Sequence, residues 1–240
     1  RTTDYGRTWT ELVNGLPTDR GSMTIFESPR NPRVLWVGTA DGVYVTYDGA
    51  QRWRRFGKSF PHVMVERMAM SLRQRDLVVS THGRGLYVVP VGPLEELSDS
   101  VFGDSLRLFD VAPAYQYRER QTHPGFGSHD FVAPNPPRGA VIAYYLKEMQ
   151  PEGVKLVITS AAGDTVRTLT GSGFPGLQRV TWDLNRDRPR PRGLGDPTTP
   201  EELRRVTPGD YVVRLTLGKR KLQRPITVVE LGPDQLGRIR

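Results

Sequence analysis

The chain has 240 residues with no cysteine, 25 glycines, 20 prolines and a formal net charge of +8. Zero cysteine excludes disulfides, thiolate nucleophiles and Cys-ligated zinc, and no apolar run approaches the roughly 20 residues of a membrane-spanning helix. The basic residues are mostly Arg and are scattered, with short groups at 52–55, 204–205 and 219–221, so the charge does not read as a nucleic-acid surface.

The chain opens on Thr2-Thr3-Asp4-Tyr5-Gly6-Arg7-Thr8-Trp9, and a related segment, Thr46-Tyr47-Asp48-Gly49-Ala50-Gln51-Arg52-Trp53, follows 44 residues later (48 − 4). That spacing is a propeller-blade period. Asp4 and Asp48 can accept backbone N–H groups two or three residues on, folding the chain into a corner. Gly6 supplies a positive φ, Thr2, Thr8 and Thr46 add hydroxyl bonds, and Trp9 and Trp53 are expected to bury their rings on neighbouring strands. Ala50 stands where Gly6 stands, so the second copy is expected to move its left-handed residue forward to Gly49.

Strand patterns lie between and after the two segments at 23–26, 33–38, 42–46, 53–56, 66–70, 76–80 and 85–89. The first four make a complete four-stranded unit; the next three repeat it without a third turn and run into a short helical cap at 93–97. Leu106-Arg107-Leu108-Phe109 reads as an edge strand. Pro- and Gly-rich chain follows to Gly139. Six further strands, at 140–146, 154–158, 165–169, 178–183, 210–215 and 226–229, with hairpin turns at 162–164 and 217–219, predict an immunoglobulin-type β-sandwich. The expected fold is all-β: about two propeller blades over 1–117, a linker over 118–133, an Ig-like or fibronectin-III-like sandwich over 134–232 and a tail over 233–240. A piece beginning near Ala133 is expected to fold alone.

The turn segment resembles the Asp-box, or BNR repeat, of sialidases, the sortilin propeller and bacterial sortilin-like proteins labelled glycosyl hydrolases. Asp76-Leu77-Val78-Val79-Ser80-Thr81-His82-Gly83-Arg84-Gly85-Leu86-Tyr87-Val88, with Pro93-Leu94 after it, is similar to their last blade. Asn135-Pro136-Pro137-Arg138-Gly139-Ala140, Tyr144-Tyr145-Leu146, Gly163-Asp164-Thr165-Val166-Arg167 and Val180-Thr181-Trp182-Asp183-Leu184 resemble an Ig-like domain of the flagellar hook-capping type. The resemblance implies the C-terminal portion of a larger, secreted or periplasmic bacterial protein, with further blades upstream. It implies binding of a protein, peptide or glycan, with the Ig-like domain as spacer or docking module. The alternatives are a sialidase-like glycoside hydrolase whose catalytic residues lie in upstream blades, and a structural tail for surface retention or assembly.

No cofactor, metal or catalytic residue is assigned. Thr2, Asp4, Gly6, Thr8, Trp9, Thr46, Asp48, Gly49 and Trp53 are read as structural. His82, in a Gly-flanked turn, is read as capping backbone groups, with the alternative that it and Arg84 face a propeller channel. Arg54, Arg84 and Tyr87 have sialidase residue types but no spacing that makes them converge, and Glu66, Glu95 and Glu96 pair with nothing visible in the sequence. His123 and His129-Asp130 lack a further ligand at metal-binding spacing.

Overall fold

The computed structural model describes residues 1–57, 60–72, 75–98, 101, 103–117, 138–187 and 204–231. They are almost wholly β and divide into two compact units, Arg1–Asp104 and Ser105–Arg240.

The first unit holds two antiparallel meanders. One runs β1 (Ser22–Glu27), β2 (Leu35–Thr39), β3 (Gly42–Thr46) and β4 (Arg54–Arg55), with neighbours in sequence also neighbours in space. The other has β5 (Val65–Ser71), β6 (Asp76–Thr81) and β7 (Leu86–Pro90), and no fourth strand. Alternation along β6 buries Leu77 and Val79 on one face. The sheets approach so closely that a Cβ on Gly38 would lie 2.5 Å from Val65 Cγ1 of the second sheet, and its cross-strand neighbour Thr24 would crowd the same atom at 2.7 Å. Glycine is therefore required on β2 where it meets β5. The opposite faces keep apolar side chains in solvent, Met23 and Ile25 on β1 and Leu86 and Val88 on β7.

After β7 the chain makes the one-turn helix α1 (Gly92–Glu95), entered at Pro93, where a missing N–H costs nothing. Buried Arg75 donates from Nε to Glu95 Oε2 at 2.8 Å and from Nη1 to Glu96 at 3.3 Å, and Ser28 Oγ donates to Glu95 Oε1 at 2.6 Å. This network ties α1 to both sheets. Glu95 and Glu96 are thus partners of a buried guanidinium 20 and 21 residues earlier, a pairing that only the β5–β6 turn creates.

The second unit is a sandwich. β8 (Leu106–Leu108), β10 (Ala140–Leu146) and β13 (Gly176–Trp182) form one sheet in the order β13-β10-β8. β9 (Ala114–Tyr117), β11 (Val154–Ser160), β12 (Thr165–Gly171), β14 (Gly209–Leu217) and β15 (Arg220–Leu231) form the other, ordered β12-β11-β14-β15-β9. Ile142, Tyr144, Leu156, Trp182, Val213 and Ile226 interdigitate between them. Tyr211 on β14 donates its hydroxyl to Thr207 O at 2.7 Å, and its ring meets Trp182 edge-on at 5.2 Å. Such a tyrosine corner in a three-on-five sandwich is characteristic of Ig-like domains.

Three expectations change here. β8 is an edge strand but pairs with β10, and β9, missed in the sequence, runs parallel to β15, so both strands belong to the sandwich and the units divide after Asp104 instead of after 117. β15 extends back to Arg220 through Pro225, which is opposite Val212 of β14; the proline is tolerated because β9 pairs only with Val228–Leu231, so the flank of β15 away from β14 is open at that position. The expected linker at 118–133 and tail at 233–240 lie outside the described residues.

Candidate functional site

The two Asp turns share the Thr-to-Asp hydroxyl bond and the two backbone bonds four residues on, and differ in one further donor to the carboxylate. Thr2 Oγ1 donates to Asp4 Oδ1 at 2.8 Å and accepts from Gly6 N at 2.8 Å; Asp4 Oδ1 also accepts from Thr8 N at 2.9 Å, and Oδ2 from Thr8 Oγ1 at 2.7 Å. In the second copy Thr46 Oγ1 donates to Asp48 Oδ1 at 2.6 Å and accepts from Ala50 N at 3.2 Å, while Oδ1 accepts from Gln51 N at 2.9 Å and Arg52 N at 3.1 Å. The Thr8 N–H, then its hydroxyl and that of Thr2, lower the Asp4 pKa to about 2. Burial works to raise Asp48, but the Thr46 hydroxyl and the Arg52 and Gln51 N–H groups hold it below the ordinary value.

The expected shift of the left-handed residue does not occur. Two consecutive residues are left-handed in each copy, Tyr5 (φ 61°) with Gly6 (φ 85°), and Gly49 (φ 77°) with Ala50 (φ 73°). Glycine has changed places while the backbone has not, because the hydrogen bonds fix both conformations. Trp53 is buried, donating from Nε1 to Leu12 O at 2.8 Å and packing with Val37, Tyr44, Leu12 and Leu16. Trp9, expected to be buried, is 73% exposed; it bonds back to Gly6 O at 3.1 Å and flanks an open groove of about 1060 Å³ with Met23, Ile25 and Trp53.

A different set of side chains collects at the opposite end of the sheets. The β2–β3 turn, the start of β5 and the β6–β7 turn share this end, since Val65 is opposite Thr81 and His62 reaches Asp41. His62 Nδ1 lies 2.9 Å from Asp41 Oδ1, and Arg20 Nη1 lies 3.9 Å from the same oxygen. His62, then burial working in the opposite sense, sets the Asp41 pKa, with a net lowering. His82 Nδ1 lies 2.8 Å from Glu66 Oε1, both exposed. The capping expected of His82 is performed by Thr81, whose Oγ1 donates to Gly85 O at 2.7 Å. Arg84 is exposed beside it, Arg54 lies exposed on β4, and Tyr87 stacks obliquely on Phe60 at 5.0 Å.

Sequence reasoning missed His62 and Asp41 because nothing in a 21-residue separation announces the pair. Among the described residues no group of three or more His, Asp or Glu could hold a metal, and no helix is long and apolar enough to cross a membrane. His123 and His129-Asp130 lie outside the described residues.

No family model and no curated protein matches the chain. Among solved structures it is similar to PorZ, an essential bacterial surface component of the type-IX secretion system of Porphyromonas gingivalis, at 17% identity and a TM-score of 0.29, covering 88% of this chain and 23% of that one. It is also similar to the extracellular domain of the one-component system BT4673 of B. thetaiotaomicron, at 9% identity and a TM-score of 0.27, covering 90% of this chain and 26% of that one. The chain spans about a quarter of the length of each. Scores this low leave function to be read from the chain's own geometry.

Proposed function

We propose that the chain is the C-terminal portion of a secreted or periplasmic bacterial binding protein, in which Asp-box propeller blades recognise a protein, peptide or glycan and the Ig-like unit serves as spacer or docking module. Further blades of the same repeat are its partners, covering the apolar faces at Met23 and Ile25 and at Leu86 and Val88; nucleic acid is not. Recognition falls to the end bearing Arg20, Asp41, His62, Glu66, His82 and Arg84, with His82 and Arg84 toward the channel.

The observation that carries the reading is the engagement of the acidic candidates by their own chain. Asp4 and Asp48 hold backbone N–H groups, Asp41 and Glu66 hold imidazoles, and Glu95 holds Arg75. A glycosidase instead needs two carboxyl groups facing a substrate, roughly 5 to 10 Å apart. The test is a fluorogenic sialoside and glycoside panel run beside glycan and peptide arrays on the same protein. Array binding without turnover supports the proposal; turnover abolished by a carboxylate variant overturns it.

A further inference from the structure

Three cations remote in sequence meet on the outer face of the five-stranded sheet. Lys155 on β11 is directly opposite Thr216 on β14, and Thr216 is opposite Lys221 on β15. Arg214 stands two residues before Thr216, on the same face. Their neighbours Leu156, Val213 and Leu215 are buried in the sandwich, so alternation turns all three cations outward, and all are exposed. Thr170 and Thr168 on β12 continue these two rows with exposed hydroxyls.

With strands about 4.8 Å apart and about 3.4 Å per residue, Lys155 and Lys221 are roughly 10 Å apart at Cα and Arg214 about 7 Å along from Thr216. Like charges repel and opposite charges on facing strands attract, so a carboxylate between these cations would neutralise them. Neither row contains one. The nearest in register on this face of β14 is Asp210, which accepts the Thr227 hydroxyl at 2.9 Å.

We infer that this face binds an anionic polysaccharide, sulfated or carboxylated, lying across the strands. The site is separate from the loop end of the first unit and does not rest on the function proposed for it. The cation spacing suits a polymer charged on alternate sugars, and interleaved threonines offer hydroxyl partners to sugar hydroxyls. The two rows carry no aromatic ring on which nucleobases could stack, and no apolar wedge that would enter a bilayer interface.

The full chain is titrated against fluorescently labelled dextran sulfate, with neutral dextran, a single-stranded DNA oligomer and phosphatidylserine vesicles as comparisons. Wild type should bind dextran sulfate and not neutral dextran. Replacing Lys155, Arg214 and Lys221 by Thr, a good strand former, should weaken binding at least about tenfold and reduce the salt slope by roughly 2 to 3, as for losing three ionic contacts. Replacing the exposed Arg30, Arg33 and Arg52 by Thr removes equal charge and should leave affinity within about twofold. If the triple variant does not fold, Lys155→Gln, Arg214→Gln and Lys221→Gln are measured singly, each expected to weaken binding severalfold. Equal loss in both triple variants, no loss in the Gln variants, no binding by wild type, or tighter binding to DNA or vesicles overturns the inference.

Discussion

Asp48→Ala removes an acceptor that serves three donors through one oxygen, Oδ1, from Thr46 Oγ1, Gln51 N and Arg52 N. A bond to a charged acceptor contributes about 1.5 to 3 kcal/mol when buried, but Gln51 and Arg52 are exposed and their N–H groups recover water when released. We therefore expect a net loss of about 1 to 2 kcal/mol, and a fall of roughly 4 to 8 °C in Tm per kcal/mol for a unit of this size. Asp48→Asn keeps a carbonyl oxygen at Oδ1 and should cost less than half as much. The readout is urea unfolding followed by tryptophan fluorescence, since buried Trp53 reports the turn. Both turn carboxylates have folded pKa values below their ordinary 3.8, so their stabilisation is complete above about pH 4 and declines as acid protonates them, for Asp4 toward pH 2. An Asn variant as damaging as the Ala variant would refute the acceptor argument, and an unchanged Ala variant would refute any structural role.

Glu95→Ala removes the closer of the two carboxylates on buried Arg75, leaving Glu96 at 3.3 Å, and should cost about 3 kcal/mol in thermal unfolding, the low end for breaking a buried pair, with much of the loss recovered when Arg75→Met is added. Tyr211→Phe deletes the corner bond to Thr207 O and should lower sandwich stability by about 1 kcal/mol with the near-UV spectrum retained. A fragment beginning at Ser105 should unfold cooperatively, whereas one beginning at Ala133 lacks β8 and β9, exposes the edges of β10 and β15, and should aggregate or melt broadly by calorimetry.

Most strands were legible because local alternation and turn residues agree. The predicted 42–46 and 140–146 coincide with β3 and β10, and the glycines of the predicted hairpins at 163 and 218 are left-handed. The failures share a cause. β9 is four residues long and owes its existence to β15 far along the chain, and β8, read as an edge strand, takes a partner in the second unit that its own residues do not announce. The predicted strand at 226–229 omits the charged, Pro-containing residues 220–225, yet β14 pairs with all of them. In the site, the turn chemistry lies within eight contiguous residues and could be read there. The His62–Asp41 and Arg75–Glu95 pairs depend on tertiary approach over 21 and 20 residues, and the Lys155–Arg214–Lys221 cluster on sheet register, so none has a local signal.

Whether loops recognise while turns support is tested most directly by comparing two variants of the full chain on one glycan and peptide array, with Tm measured for each. Replacing Arg20, His82 and Arg84 by Ala should abolish ligand capture with Tm unchanged, and Asp48→Asn should lower Tm while capture persists at temperatures where it is folded. Lost capture in a thermally unaltered Asp48→Asn protein, with the triple variant still binding, would make the turn the site and contradict the account.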